Sequence, residues 1–123
     1  MSSYSVIQYE TRGAVAWIRM DRPDSLNAFN LTLREDLLAG LREAEQNPSI
    51  KVVVLGSTGR AFCAGADLMA TGSPDDSDVV QQLMNSYKPI LDAIRSMAKP
   101  VIGVNPGVAA GIGASVLMCC DQV

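Results

Sequence analysis

Hydrophobic and polar residues follow two different periods along this chain, and these predict strands and helices in turn. Apolar residues in Ser5–Glu10 and Ala14–Met20 flank the polar residues Thr11–Gly13, which is typical of a β-hairpin. The largely apolar run Lys51–Ser57 predicts a buried strand, and Val101–Val104 predicts another. The pattern therefore indicates a hairpin followed by two separate strands.

A helical period lies between the hairpin and the next strand. Asn30 is a residue type that caps helix N-termini, and Thr32 with Glu35 has the spacing of a capping box. Asn47–Ser49 contains a proline and should end the helix. The apolar positions that share one helical face are Leu33, Leu37, Leu38, Leu41 and Ala44.

A second helical period extends from Val79 to Met97, after the polar stretch Thr71–Asp78, which we expect to be a mobile loop. Pro89 lies inside it and should kink or split the helix. A third helix is expected to run through Cys119. Strand, strand and helix thus occur once and begin again, so the predicted class is α/β with a repeated ββα layout. Asp121–Val123 resembles the start of another strand, and we expect the chain to be a fragment.

Composition and charge exclude several classes of function. The net charge of −3 and the absence of any Lys/Arg run leave no basic footprint for nucleic acid. The chain has no histidine, which removes Ser-His-Asp and Cys-His catalysis and the usual zinc sites, so we expect no metal. Three cysteines, an odd number, favour a reducing compartment over a disulfide framework. Because no secretory signal is visible, a cytoplasmic location is expected.

One uncharged segment, Val101 to Cys120, is long enough to cross a membrane as a helix. It contains Asn105–Gly107, a turn signal that would leave backbone groups unpaired in lipid. We therefore expect a strand, a turn and a buried helix here, and no membrane partner.

Two glycine-rich segments carry the candidate chemistry. Each follows an apolar strand, at Gly59–Leu68 and at Gly111–Gly113, and each is expected to lead into a helix. Such a corner leaves backbone N–H groups unpaired, and these can hold an oxyanion or a phosphate. Close packing of a strand on a helix needs the same small residues, so spacing alone leaves a structural role open. A dinucleotide site is disfavoured because the last glycine of its fingerprint is Val116 here.

Four motifs occur in a fixed order: Asp21–Ala28, Lys51–Leu55, Gly59–Leu68 and Lys99–Asn105. In this order the sequence resembles the enoyl-CoA hydratase/isomerase (crotonase) family, from about Ala14 to the last residue. The resemblance implies a crotonase-like spiral of ββα units, incomplete here, with residues 1–123 as the N-terminal part of one domain that lacks its C-terminal part and assembly helices. It also implies an acyl-CoA thioester substrate of fatty acid metabolism, no cofactor besides the coenzyme A of the substrate, and a homotrimer or hexamer when complete.

Carried over by position, the resemblance implies two backbone donors. The N–H groups of Ala66 and Ile112 would form an oxyanion hole for the thioester enolate. Asp24, Ser25 and Leu26 would lie along the pantetheine and phosphates, and Ala64 near the adenine. The other implied substrate-binding positions are Gly65, Asp67, Leu68, Met69 and Gly111. Relatives often have lysine at the positions of Asp24 and Met69, so weaker binding of the phosphates is expected.

The proton-transfer groups are not evident in the sequence. By the resemblance, one hydratase glutamate falls on Ser115, which has no histidine to activate it, and the other falls beyond Val123. Asp67 is better explained as a helix cap, and Cys63 as a small apolar residue. The sequence thus favours a hydratase or an isomerase, with a non-catalytic acyl-CoA-binding or assembly subunit as the alternative.

Overall fold

A four-stranded sheet with helices on one face forms the larger part of the structure, which is a computed structural model. It describes residues 4–28, 30–59, 61–63, 77–104, 107–109, 116 and 120, and of residues 31, 77–86 and 108 only the backbone. In chain order the elements are β1 (Ile7–Arg12), β2 (Val15–Met20), a 3-10 helix (Pro23–Ser25), α1 (Leu31–Gln46), β3 (Val52–Ser57), β4 (Ala61–Cys63), α2 (Ser77–Ser96), β5 (Val101–Gly103) and β6 (Val108–Ala109).

The larger sheet has the strand order β1-β2-β3-β5. β1 and β2 form the predicted antiparallel hairpin, with Ile7 opposite Met20 and Arg12 opposite Val15. β2, β3 and β5 run parallel to one another, and the chain between them passes through a helix each time. β3 lies between two neighbours and is buried along its centre, which explains its unbroken apolar run.

The core lies between the sheet and the helices. On α1 the predicted apolar face is confirmed: Leu38 is half-buried, and the fully buried positions are Leu33, Leu37, Leu41 and Ala44. Alternate residues of the hairpin, including Ile7, Ile18 and Met20, belong to the same cluster. Because strand side chains alternate between faces, these residues place the core on one side of the sheet.

Asn30 caps α1, as predicted. Its Oδ1 accepts a hydrogen bond from the backbone N–H of Leu33 at 2.9 Å. The helix begins at Leu31, so Thr32 and Glu35 lie inside it and the capping-box prediction is wrong. The reason is that Asn30 already occupies the capping position.

Lys99 closes the other end of α1. Its Nζ donates hydrogen bonds to the carbonyl oxygens of Ala44 and Asn47, both at 2.7 Å. The positive charge of the ammonium group is also attracted to the partial negative charge of the helix dipole at the C-terminus, which is stabilising. One side chain thus joins the end of α1 to the segment that leads into β5.

Pro89 does not split α2, which continues to Ser96. On either side of the proline, Tyr87 and Ile90 are buried, as is Ile94 one turn later. Burial of this apolar face outweighs the lost backbone hydrogen bond, since helices in proteins owe most of their stability to packing.

The predicted ββα repeat is present, with two strands that the sequence pattern does not show. β1, β2 and α1 form the first unit, β3, β4 and α2 form the second, and β5 and β6 begin the third. Both strands of the first unit lie in the larger sheet, whereas the second and third units each have their first strand in the larger sheet and their second strand in a two-stranded parallel sheet of β4 and β6. These short strands were not expected from the sequence: β4 lies within the glycine-rich segment Gly59–Leu68, and β6 lies between β5 and Gly111–Gly113.

Several predictions fall partly or wholly outside the described residues. These are residues 71–76 of the predicted loop Thr71–Asp78, the strand at residues 121–123 and most of the third helix, of which Val116 is described and helical. At Ser77 and Asp78 the loop prediction is wrong, because α2 begins at Ser77. Two strands, β5 and β6, occupy part of the uncharged segment from Val101 to Cys120. Within the described part of the chain, no helix is long and apolar enough to span a bilayer.

Candidate functional site

Two short strands lie at the glycine-rich segments of the sequence: β4 lies within Gly59–Leu68, and β6 ends two residues before Gly111. β4 and β6 pair in parallel, with Ala61 opposite Val108 and Cys63 opposite Ala109. The register shifts by one residue between these pairs, at Phe62, whose side chain is fully buried. Parallel strands end at the same edge, so the segments that follow Cys63 and Ala109 start side by side.

The two candidate donors follow this pair of strands but lie outside the described residues. Ala66 comes three residues after Cys63, and Ile112 comes three residues after Ala109. The other predicted positions outside the described residues are Ala64, Gly65, Asp67, Leu68, Met69, Gly111 and Ser115. Their roles stay predictions.

Three predicted substrate-binding residues, Asp24, Ser25 and Leu26, lie on a loop between β2 and α1. Asp24 and Ser25 belong to the 3-10 helix and are exposed, and Leu26 is half-buried. Leu26 has a φ of 53°, a left-handed conformation that is uncommon for residues other than glycine. Backbone strain of this kind is found where surrounding contacts hold a functional loop in place.

Asn27, which follows this loop, is fully buried and is the feature that the sequence analysis missed. Its Oδ1 accepts a hydrogen bond from the backbone N–H of Arg22 at 2.6 Å. Its Nδ2 donates to the carbonyl oxygens of Thr58 at 2.8 Å and of Ala61 at 2.9 Å. One side chain therefore connects the loop before α1 with the start of β4. The available signal was a polar residue between Leu26 and Ala28, of a type that tolerates left-handed φ.

Further contacts hold the same two segments together. Thr58 donates from its backbone N–H to the carbonyl of Met20 and from its hydroxyl to Oδ1 of Asp21, both at 2.8 Å. Gly59 has a φ of 80°, and a Cβ built on it would come within 3.0 Å of Cβ of Pro23. Glycine is required here both by the left-handed backbone and by this close approach. We call the region formed by residues 20–28 and 57–61, of which Arg60 is not described, the loop junction.

The carbonyl of Ala61 accepts two side-chain hydrogen bonds at the loop junction. One comes from Asn27, and the other comes from the hydroxyl of Ser57 at 2.8 Å. The bond from Asn27 is buried and the bond from Ser57 is partly buried, so an unmade bond at the buried Ala61 is costly. The backbone of Ala61, the first residue of β4, thus accepts one hydrogen bond from the segment before α1 and one from the end of β3.

Ionisable groups with a shifted pKa lie on β1, away from the loop junction along the chain. Burial, with a smaller contribution from the charge of Glu43, raises the pKa of Tyr9. Hydrogen bonds from Arg12 and Arg19 lower the pKa of Glu10. Near β4, Cys63 is buried in the core, as its reading as a small apolar residue predicts. Among the described residues, no group of His, Cys, Asp and Glu side chains is arranged to hold a metal ion.

Comparison with known proteins decides the family. The family model described as "Enoyl-CoA hydratase/isomerase" matches residues 10–123. The chain belongs to this family. The resemblance seen in the four sequence motifs is thereby confirmed, and so is the fold class, since the similar solved structures are crotonase-fold enzymes.

Relatives in this family include proteins named as hydratases and proteins named as isomerases. The chain is 38% identical over 121 residues to a protein named "Probable enoyl-CoA hydratase" from Rhodobacter capsulatus, covering 98% of this chain and 46% of that protein. It is 32% identical over 124 residues to the 1,2-epoxyphenylacetyl-CoA isomerase of Escherichia coli, covering 96% and 46%. Among solved structures, an enoyl-CoA hydratase/carnithine racemase from Magnetospirillum magneticum superposes with a TM-score of 0.90 at 31% identity, covering 98% and 46%. The chain thus spans about half the length of these relatives.

Proposed function

We propose that this chain forms part of an enoyl-CoA hydratase or isomerase that acts on acyl-CoA thioesters. In this proposal the N–H groups of Ala66 and Ile112 hold the thioester oxygen while the substrate passes through an enolate. The observation that carries the proposal is the parallel pairing of β4 with β6, because the two donor segments begin at its C-terminal edge.

The register of these strands supports two donors acting on one oxygen. Cys63 and Ala109 are paired, and Ala66 and Ile112 follow them at equal distance along the sequence. Neighbouring strands lie about 4.8 Å apart. At that separation, one oxygen in front of two N–H groups can lie about 2.9 Å from each nitrogen, which is a normal hydrogen-bond length.

Both proposed reactions need this charge stabilisation. In hydration, water adds to Cβ and the electron pair of the double bond moves to the thioester oxygen, before a proton is delivered to Cα. In isomerisation, a base removes a proton from one carbon of the acyl chain, the thioester oxygen takes up the negative charge of the resulting dienolate, and a proton returns to a different carbon. Each backbone donor aimed at such an oxyanion contributes about 3–4 kcal/mol to transition-state stabilisation.

We propose that the loop carrying Asp24, Ser25 and Leu26 binds the pantetheine and phosphate part of coenzyme A. Two of these residues are exposed, and the 3-10 helix presents them between β2 and α1. The carboxylate of Asp24 would repel the phosphates, so the affinity for coenzyme A is expected to rise in the Asp24→Lys variant. Of the remaining positions, Ala64, Gly65, Asp67, Leu68, Met69 and Gly111 would line the rest of the substrate site. No separate cofactor is proposed, because coenzyme A belongs to the substrate.

The proposal treats residues 1–123 as the N-terminal part of one domain whose complete form assembles as a trimer or hexamer. Its support is that the chain covers 46% of the relatives named above. The acid and base are left unassigned, since Ser115 occupies the position of one glutamate by resemblance.

The test removes one donor at a time. The Ala66→Pro variant lacks the N–H at this position, whereas Ala66→Gly retains it, and Ile112→Pro and Ile112→Gly form a second matched pair. Loss of enoyl absorbance with crotonyl-CoA measures hydration. We expect each proline variant to lose about 100- to 1000-fold in kcat, and each glycine variant to lose far less.

Equal activity of the proline and glycine variants would contradict the backbone oxyanion hole. Absence of both hydration of crotonyl-CoA and double-bond isomerisation of a 3-enoyl-CoA in the unmodified protein, together with measurable binding of the thioester by calorimetry, would favour the non-catalytic binding subunit. The serine at position 115 is the observation that keeps this second function in the test.

A further inference from the structure

We propose that Asn27 is a positioning residue that couples two parts of the proposed site. One is the coenzyme A loop, which carries Asp24, Ser25 and Leu26, and the other is the oxyanion corner, the segment from Ala61 to the proposed donor Ala66. This inference rests on the proposed function, because it assigns Asn27 a role in the same site. Through Asn27, binding of the remote coenzyme A part of the substrate would fix the position of the backbone donor that follows β4.

The hydrogen bonds of Asn27 reach both parts of the site. Towards the coenzyme A loop, Oδ1 accepts from the N–H of Arg22, one residue before the 3-10 helix that carries Asp24. Towards the oxyanion corner, Nδ2 donates to the carbonyl of Ala61, the first residue of β4. The proposed donor Ala66 comes only five residues after Ala61 in the sequence.

Both hydrogens of the Asn27 side-chain amide are donated in hydrogen bonds. Both hydrogens of Nδ2 have a carbonyl partner, on Thr58 and on Ala61, and the amide oxygen has the N–H of Arg22. Among the described residues, Asn27 is the one polar side chain that is fully buried within the protein. An amide in this position is sensitive to change, because each buried partner left unbonded carries a desolvation cost.

The backbone of Asn27 explains why an asparagine fits here. Its φ is 57°, and Leu26 before it is also left-handed. Asparagine tolerates this region better than most residues, and only glycine tolerates it freely. Asn27→Gly therefore preserves the backbone conformation while it removes all three side-chain bonds, which makes it the cleanest variant for testing the bonds.

The coupling has a kinetic signature that a purely structural role lacks. Binding energy from a remote part of a substrate can be used to align its reacting part, so truncation of the substrate then lowers kcat. If Asn27 transmits this alignment, the Asn27→Gly variant loses the advantage of the remote part. A residue that only supports the fold would lower the rates for long and short substrates by the same factor.

The experiment compares crotonyl-CoA with crotonyl-pantetheine, which lacks the nucleotide. For Asn27→Gly we expect kcat with crotonyl-CoA to fall by about 10- to 100-fold, since small misplacements of reacting groups cost up to about 100-fold. With crotonyl-pantetheine kcat should change less than about twofold, because no nucleotide contributes to alignment in either protein. Lys99→Met is the control, because it removes partly buried hydrogen bonds at the far end of α1 and should preserve the ratio of the two kcat values.

A second variant keeps the test valid if Asn27→Gly does not fold. Ser57→Ala removes the other donor to the Ala61 carbonyl and should give a smaller change in the same ratio. A ratio that is unchanged in both variants would overturn the coupling.

Failure of the proposed function would be recognised separately. If the unmodified protein turns over neither substrate, amide hydrogen exchange reads the connection directly. The coupling predicts faster exchange at Phe62 and Cys63 on β4 and at Leu26 on the loop in Asn27→Gly, with Lys99→Met unchanged there. Exchange that rises on only one of the two segments would refute it.

Discussion

The helix-covered face of the sheet and the loop junction are held together in opposite ways. The first is apolar: α1 buries Leu33, Leu37 and Leu41 against strands of the same character. The second is polar: its side chains donate hydrogen bonds to backbone carbonyls and one carboxylate across a partly buried contact, from Asn27, Ser57 and Thr58. The apolar face is stabilised by the area it buries, whereas the junction depends on a few bonds with defined directions.

This difference indicates how each region responds to mutation. A large-to-small substitution in the hydrophobic core lowers the free energy of unfolding in proportion to the cavity volume that it leaves, so its main effect is on global stability. A hydrogen-bonded junction loses a whole bond at a time, so damage there changes a local position first. Mutations in the two regions should therefore separate stability from activity.

The largest effect on stability is expected for Leu37→Ala. Leu37 is fully buried, and removal of its side chain leaves a cavity in the core. The free energy of unfolding should fall by about 3 kcal/mol, measured by urea denaturation. Leu38→Ala is the matched control on the same helix; Leu38 is half-buried and should cost clearly less. Equal costs would show that the two positions do not differ in packing.

The next effect concerns the two donors to the Ala61 carbonyl. Either Asn27→Gly or Ser57→Ala alone leaves this buried carbonyl with one of its two side-chain donors. The double variant removes both, so its loss of unfolding free energy should exceed the sum of the single losses by about 1 kcal/mol. A double-mutant cycle by urea denaturation measures this coupling. Additive losses would show that the two bonds are independent and would weaken the description of the junction as a unit.

A smaller effect is expected for Lys99→Met, at the far end of α1. Lys99 makes the same kind of contact as Asn27, from side chain to backbone carbonyl, but within the helix layer. We expect a loss of about 1 kcal/mol in the free energy of unfolding, with activity per folded molecule unchanged. Lys88→Met removes only an exposed pair with Asp92 and should cost about 0.3 kcal/mol. If Lys99→Met lowered activity per folded molecule, the contrast between the two regions would fail.

The smallest effect is expected at Tyr9, where the hydroxyl is buried and has no hydrogen-bond partner among the described residues. Burial raises the pKa of Tyr9 above its ordinary value of 10.0, so the folded protein retains this proton at a pH where the unfolded chain loses it. The associated stability is present below pH 10 and is lost as the pH rises above it. Tyr9→Phe should remove this alkaline loss and leave the stability near neutral pH unchanged or slightly higher. By contrast, Tyr4→Phe removes a hydroxyl that donates to Glu43 and should be destabilising.

The strands and helices with strong periods could be predicted from the sequence. The hairpin, β3, α1 with its cap at Asn30 and the apolar face of α2 each have enough residues to show a pattern. β4 and β6 could not be predicted in this way, because three and two residues contain no period. They matter most for the proposed site, since their pairing is the observation on which the proposal of two neighbouring donors depends.

The loop junction shows why the site was only partly visible. Asn27 lies within a recognised motif, but its hydrogen bonds reach Thr58 and Ala61, which are more than thirty residues away in the sequence. A contact of this kind is set by the path of the chain between the two strands, and no local pattern encodes it. The continuity of α2 through Pro89 is a similar case, since burial of Tyr87 and Ile90 decides it.

The distribution of strands between the two sheets has a consequence for how such a site could arise. In the two ββα units that begin with β3 and β5, the first strand lies in the larger sheet and the second lies in the two-stranded sheet. The proposed donors Ala66 and Ile112 each come three residues along the sequence after the second strand of their unit. A gene segment duplicated in tandem would create the second donor from the first, already aligned, and an ancestral single unit would have had only half of the pair.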